Sequence, residues 1–266
     1  MTRVVTSATN PTVKKLAGLR LRKYREESGL FLAEGTRTAL EALSSGAVPR
    51  ILAYAPDMAD AEAVRALRDA CLGKGGLCLE VTAPILGKIT RRDNPQPVVA
   101  AYDCQVGSLA GLRPEPGAVV VALDRVRDPG NLGTMLRTAD AVAAQALVLV
   151  GECCDPHAAE SVRASMGSIF NIPLFACDEA AFVDFARSWP GTVVGTSPSA
   201  PAHYRSVAYP GAVLAVLGSE QSGLSEAMAR ACSLMVRIPI LGKAESLNLA
   251  VAGGIFLYGI RELQER

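Results

Sequence analysis

No segment of the sequence approaches the roughly 18 consecutive apolar residues that a membrane-spanning helix needs. The longest apolar runs, Ala118–Leu123 and Ala212–Leu217, have the length of strands. Residues 1–15 lack the apolar core of a secretion signal, so a cytoplasmic location is expected. There are seven Cys but no C-x-x-C spacing, and Cys153 and Cys154 are adjacent. That pattern excludes a zinc knuckle and argues for reduced thiols rather than a disulfide framework. The two His, 157 and 203, lie far apart without metal-ligand spacing, so no metal is expected. Neither G-x-G-x-x-G nor G-x-x-x-x-G-K-S/T occurs, which removes the usual dinucleotide fingerprint and the P-loop. There is no internal repeat. Net charge is nearly missing too, at +1, which as a total argues against a polyanionic partner.

What is present qualifies that last exclusion. Half of the 266 residues are hydrophobic, too many for a disordered chain and enough for one large or two modest cores. The charge is unevenly spread. Residues 1–25 carry seven basic groups and no acidic one, residues 1–103 hold 15 basic against 11 acidic, and the remainder holds 12 against 15. A basic first part joined to a mildly acidic second part suggests two domains with different partners. The acid-free basic cluster that includes Lys14, Lys15, Arg20, Arg22, Lys23 and Arg25 reads as a contact for a polyanion or as a solvated helix face, with the polyanion at least equal in weight. Arg91-Arg92 extends that face or is a solvated loop.

The element pattern agrees with this division. Asn10-Pro11 reads as the cap and first position of a helix with Val13, Leu16, Leu19 and Leu21 on its apolar stripe. Strands are expected at Leu30–Ala33, Ile51–Ala55, Cys78–Val81 and Val98–Tyr102, with helices at Thr38–Leu43, Ala59–Cys71 and Pro84–Ile89 between them. This gives a small α/β domain over residues 1–104. The Gly-, Pro- and Ser-rich stretch 105–116 reads as a linker. From 117 to 266 apolar strands (118–123, 146–150, 172–175, 192–196, 212–217, 234–238) alternate with helices (133–143, 157–165, 179–187, 225–231, 247–264), the pattern of a parallel sheet. Trp189 is expected to pack at a helix end.

Three loops at strand ends carry the chemistry. The first runs Asp128-Pro-Gly-Asn131-Leu-Gly and reaches Arg137 about two turns along the following helix, with Asn131 placed to cap it. The second is Leu217-Gly218-Ser219-Glu220-Gln221-Ser222-Gly223-Leu224. The third runs from Ile238-Pro239 to Glu245-Ser246-Leu247-Asn248 at the start of the last helix. Ligands of open α/β sheets sit beyond the carboxyl ends of strands, so three such loops can line one pocket. Each loop alone has a plain structural explanation as a helix start or a turn.

Together, in this order, spacing and strand context, the three segments resemble the three signature motifs of the SpoU (TrmH-type) RNA ribose 2′-O-methyltransferases of the SPOUT superfamily. The resemblance covers about residues 115–266. Upstream, Thr6-Ser…Asn10-Pro…Lys14 and Phe31-Leu-Ala-Glu34-Gly35…Arg37 resemble the ribosomal-protein-like substrate-binding domain attached to many members. The resemblance implies a deep trefoil knot in the C-terminal domain, a homodimer, and S-adenosylmethionine bound bent in the knot. Leu217, Gly218, Ile238, Pro239, Leu247 and Asn248 would contact that cofactor, partly through backbone amides. The segment around Glu220 departs from the pattern at Ser219, where Asn is common, and at Gln221, where Gly is common.

The implied reaction moves a methyl group to a ribose 2′-oxygen. A sugar hydroxyl is a weak nucleophile that must be oriented and relieved of its proton. In the family the arginine of the first motif is assigned to activating that hydroxyl, a role that falls here on Arg137. A guanidinium stays protonated, so positioning the target phosphate and ribose is the more conservative role. Asn131, Glu220, Ser246 and Asn248 would orient Arg137 and the nucleotide. Arg37 and Arg163 join the expected RNA contacts. The expected substrate is ribosomal RNA, the large subunit favoured, in a housekeeping or an antibiotic-resistance role. The alternatives are transfer RNA, or a non-catalytic RNA-binding or ribosome-assembly protein of the same fold.

Overall fold

The first helix begins where the residues put it. In the computed structural model, which describes residues 2–264, Asn10 accepts a hydrogen bond from the Thr12 amide at 2.8 Å and Pro11 opens α1 (Pro11–Gly18). Before it lies β1 (Thr2–Val5), a strand with one buried residue and hence no clear alternation in the sequence. There follow α2 (Arg22–Ser28), β2 (Leu30–Glu34), α3 (Thr36–Ser44), β3 (Ile51–Tyr54), α4 (Glu62–Gly73), β4 (Leu77–Val81), α5 (Ala83–Thr90) and β5 (Val98–Asp103). The second half runs β6 (Gly107–Ser108), β7 (Val119–Asp124), α6 (Pro129–Ala141), β8 (Ala146–Val150), α7 (Ala159–Ala164), β9 (Leu174–Cys177), α8 (Glu179–Arg187) and β10 (Thr192–Thr196). It ends with β11 (Ala202–His203), β12 (Val213–Leu217), α9 (Glu226–Ala231), β13 (Leu234–Arg237) and α10 (Leu249–Gln264).

The chain divides into two compact units. The first contains the residues up to Cys104 together with Asp155–Asn171. Its five-stranded sheet has the order β1-β4-β3-β5-β2, with β5 antiparallel to β2 and β3. Val13, Leu16 and Leu19 are buried against this sheet, whereas Leu21, expected on the same stripe, is 55% exposed because α1 ends before it.

The segment 155–171 falls within the stretch expected to belong wholly to the second domain. Instead α7 packs on β2, and Phe170 and His157 join Phe31 and Tyr102 in an aromatic cluster. A buried ion pair fixes it. Arg25 Nε lies 2.9 Å from Asp155 Oδ2, and Arg25 Nη1 donates to the Leu19 carbonyl at 2.8 Å. Arg25, expected to face RNA, is therefore a structural residue, 5% exposed. Local pattern contains no hint of this, because the partner is 130 positions away.

His157 yields a pH prediction. Burial, partly offset by Asp155, lowers its pKa to about 4 from the ordinary 6.5. The unfolded chain thus binds the proton more readily. The stabilisation is complete above pH 6.5 and is lost as pH falls through the interval toward 4. The first unit is expected to lose about 2 kcal/mol between pH 7 and pH 5. Hydrogen exchange of β2 amides measures this, and His157→Phe should flatten the dependence. An equal loss in that variant would exclude His157 as its source.

The second unit has an eight-stranded sheet, β11-β13-β10-β12-β7-β8-β9-β6, with every pairing parallel. β7, β8 and β12 are buried at every residue, as unbroken Val/Leu/Ala runs require when helices cover both faces. Residues 105–116, expected as a linker, instead supply the edge strand β6 and core residues Leu109 and Leu112. From β7 the chain proceeds outward through β8 and β9, then crosses to β10, and β12 enters between β10 and β7. The direction of winding changes beside β7, and crevices for ligands form at such a point.

Candidate active site

Because their strands are parallel, the loops after β7, β12 and β13 leave the same edge of the sheet. α6 starts four residues earlier than the pattern suggests, with Pro129 in its first turn. Asp128, not Asn131, is its cap, its Oδ1 accepting the Asn131 amide at 2.6 Å. This frees the Asn131 side chain to bridge the three loops. Its Nδ2 donates to Glu220 Oε1, and its Oδ1 accepts from Asn248 Nδ2 at 2.9 Å. Asn248 in turn caps α10, accepting the amides of Ala250 and Val251 at 2.9 and 3.3 Å. One polar side chain from each segment thus forms a single relay across 117 residues of sequence.

The middle loop is a tight hairpin. A Cβ at Gly218 would stand 2.1 Å from the Gly223 carbonyl carbon, so no other residue fits without opening the turn. Ser219, where the family pattern has Asn, is well used here. Its backbone exchanges two hydrogen bonds with Gly223 (3.2 and 3.0 Å), and its hydroxyl meets that of Ser222 at 2.9 Å. A brace not expected from the sequence comes from the end of β7. Buried Asp124 accepts from the Ser225 amide at 3.2 Å and pairs with Arg125 at 2.8 Å, and Arg125 reaches the Gly223 carbonyl at 3.4 Å. Arg125 holds φ at +51°, a conformation non-glycine residues adopt at a cost, and its place at the exit of β7 is the one clue in the sequence.

Beneath this hairpin is a cavity of about 430 Å³. Leu217, Gly218, Ile238 and Leu247, named above as cofactor contacts, line it, and so do Glu220 and Ser246, named above for orienting the nucleotide. Pro239 and Asn248 are not on its wall; Asn248 instead joins the relay. Thr196–Pro198, Ile240 and Gln221 are additions. β10 lies between β12 and β13 in space, an adjacency that local pattern does not reveal. The walls are apolar at Leu217, Ile238, Ile240 and Leu247 and polar at one rim, the make-up of a site for a small organic ligand.

Arg137 stands on the exposed face of α6 and makes no ion pair or hydrogen bond among the described residues. α6 itself is fixed, since α10 packs on it at Gly253, where a Cβ would lie 2.4 Å from Met135 Sδ. Ser246 is exposed at the cavity rim. Burial pushes the Cys177 and Cys232 thiols up to about 12 and raises that of Cys153, which disfavours their thiolates. No group of three or more His, Cys, Asp or Glu among the described residues is placed to hold a metal ion, and no described helix is long and apolar enough to cross a membrane.

In the first unit Lys14, Lys15, Arg37 and Arg163 are exposed. Arg22 and Lys23 are exposed but face Glu26 and Glu27 at 2.7 and 3.8 Å, so part of their charge is answered within α2. Arg20 is half-buried.

Comparison with known proteins agrees with this geometry. The model of the SpoU rRNA Methylase family matches residues 118–258, and that of the MRM3-like substrate binding domain matches residues 10–100. The chain belongs to the SpoU rRNA methylase family. It is 32% identical, over 97% of its length and 98% of the relative's, to the 23S rRNA (guanosine(2553)-2'-O)-methyltransferase RlmP of Bacillus subtilis (strain 168). Among solved structures it is similar to an AdoMet-bound rRNA methyltransferase from Sinorhizobium meliloti, at 41% identity and a TM-score of 0.90, covering 98% of both chains. It is also similar to the SpoU methyltransferase AviRb from Streptomyces viridochromogenes in complex with AdoMet, at 27% identity and a TM-score of 0.83, over 95% and 97% of the two chains.

Proposed function

We propose that the protein transfers a methyl group from S-adenosylmethionine to a ribose 2′-oxygen of ribosomal RNA, in the large subunit. The observation that carries this reading is the Glu220–Asn131–Asn248 relay, which ties the three loops together at the start of α6, the helix that bears Arg137. The full-length likeness to a relative named for 23S rRNA supports the substrate class. The cavity fits the cofactor. Its volume is in the range of small-molecule sites, its apolar walls suit an adenine ring, and Gly218 and Gly223 let the backbone approach a ligand closely. Leu217, Gly218, Ile238 and Leu247 would hold it. When bound, it supplies a methyl group on a sulfonium, a donor that needs little electrophilic help.

The chain's own work is to bring the ribose to that methyl. Arg137 offers a rigid fork of donors with no partner among the described residues, suited to hold the phosphate next to the target ribose. Asn131, Glu220 and Asn248 fix the start of α6, and through it the position of Arg137. Glu220 and Ser246, at the rim, face the incoming nucleotide. Orientation of this kind contributes much of the barrier reduction when a weak nucleophile attacks in line.

The finer features of the family are part of the same proposal. Entry of β12 between β7 and β10, with the later β13 beyond β10, supports a chain threaded as a trefoil knot. Val251, Ile255 and Tyr258 form an exposed stripe at i, i+4 and i+7 on α10, 52%, 38% and 57% accessible, which supports burial against a second copy. Lys14, Lys15, Arg20, Arg22, Lys23, Arg37 and Arg163 serve the RNA, without Arg25. The work is done in the cytoplasm, where ribosomal RNA is found.

The test is transfer of labelled methyl from S-adenosylmethionine to purified ribosomal RNA, followed by alkaline hydrolysis. Label in an alkali-resistant dinucleotide is the expected result, because a 2′-O-methyl group blocks cleavage of the adjoining bond. Label released as a mononucleotide would place the methyl on a base and contradict the proposal.

A further inference from the structure

The first unit contains a cleft of about 360 Å³ that the transfer chemistry does not use. Its walls come from the end of β2, the start of α3, the loop 91–96 and α7. Glu34 lies in it, 14% exposed, between Arg92 and Arg163 (3.1 and 4.0 Å from its oxygens). Arg37 is also on the wall, and Glu34 is the sole carboxylate among the described lining residues. Arg20 belongs to the same cluster: burial lowers its pKa, and so do Arg91 and Arg163, against the opposing pull of Glu34. Arg20 Nη1 is buried without a hydrogen-bond partner among the described residues, and Glu34 Oε2 is buried with only the Arg92 guanidinium beside it.

These observations describe a cationic cleft short of counter-charge. Buried polar atoms left unpaired are costly, and clustered guanidinium groups repel one another unless an anion lies between them. Guanidinium forks match phosphate oxygens in geometry as well as charge. We infer that this cleft is a phosphate-binding subsite that takes a backbone phosphate from a single-stranded stretch of the RNA. Arg37, Arg92 and Arg163 contact the phosphate, Arg20 supports them from behind, and Glu34 is the internal counter-ion that the phosphate displaces. The inference rests on the RNA-directed reading above and deepens it. It also gives a reason for the segment 155–171 to pack in the first unit, since Arg163 comes from α7.

The experiment uses the full chain and a fluorescent 12-nucleotide single-stranded RNA of mixed sequence, with anisotropy read across a salt series. The double variant Arg92→Gln, Arg163→Gln should bind about tenfold more weakly at 0.1 M salt. Its slope of log affinity against log salt should be shallower by about 0.7 for each phosphate that the variant no longer neutralises. Glu34→Gln, which removes the competitor without removing a cation, should bind severalfold more tightly; a merely structural Glu34 would not produce that gain. S-adenosylmethionine binding should be unchanged in all variants. The inference is overturned by unchanged affinity and slope in the double arginine variant, by weaker binding in Glu34→Gln, or by no binding of this RNA to the unaltered protein. If the subsite variants behave as expected but the unaltered protein transfers no methyl to ribosomal RNA, the subsite stands and the methyltransferase reading fails.

Discussion

Arg137→Ala is expected to reduce methyl transfer at least about a hundredfold, the scale on which a positioned donor acts in a transition state. S-adenosylmethionine affinity should stay within about twofold, because Arg137 is not on the cavity wall. The expectation follows from an imbalance. Asp124, Arg125, Asn131, Glu220 and Asn248 all have partners, whereas Arg137, on a helix held by close packing at Gly253, has none among the described residues. A permanently charged, exposed group without a partner among the described residues, on the helix that the relay anchors, is available to something the protein itself does not contain. Arg137→Lys separates the two roles considered for this residue. Lysine keeps the charge but loses the planar fork, so a positioning role predicts a large loss in this variant as well. A lysine variant with full activity whose rate rises steeply with pH would instead favour proton removal by the side chain. Near-normal turnover of Arg137→Ala would eliminate both roles.

Arg25→Ala has the largest expected effect on stability. It would leave Asp155 without its cation and the Leu19 carbonyl without its donor, in a site where Arg25 is 5% exposed. Breaking a buried pair from one side typically costs about 3–5 kcal/mol. The loss should be concentrated where Asp155 anchors the chain, so amides of α7 and β2 should exchange faster well before those of β7 or β12. The double variant Arg25→Met, Asp155→Leu should recover part of the loss, because an apolar pair has no charge to desolvate, while the Leu19 carbonyl and the His157 amide stay without their partners. A change below about 1 kcal/mol in Arg25→Ala, or equal acceleration in both units, would show that the pair does not fix this segment.

The two residues illustrate what is legible in the chain and what is not. The strands β7, β8 and β12 are plain because continuous Val, Leu and Ala runs have few other uses in a chain of this kind. The three site loops are legible because each follows an apolar strand pattern and contains Gly or a capping residue. Their meeting point is readable only from the resemblance, since the Asn131–Glu220–Asn248 relay spans distances in sequence that local pattern cannot bridge. Arg25 is misplaced for the same reason. Within residues 1–25 it resembles its basic neighbours, and only a carboxylate 130 residues away distinguishes it. Asp128 takes the cap expected of Asn131 because both are good caps three residues apart. The choice is decided by the second role that the relay gives Asn131. The excursion of residues 155–171 is hidden because α7 looks like any other helix between two parallel strands.

The near-zero net charge is also clearer in three dimensions. The total says little about RNA. Part of the N-terminal basic run is neutralised within α2 or buried, while Arg20, Arg37, Arg92 and Arg163 gather around the single carboxylate Glu34. Long-range attraction depends on such local clusters rather than on the sum.

The central claim is tested most directly by mapping ribose methylation across ribosomal and transfer RNA from cells that lack this protein. One 2′-O-methyl group in large-subunit ribosomal RNA should be missing. The purified protein with S-adenosylmethionine should restore it, and the Arg137→Ala protein should not. An unchanged ribosomal RNA map, or a lost methyl group in transfer RNA alone, would contradict the account.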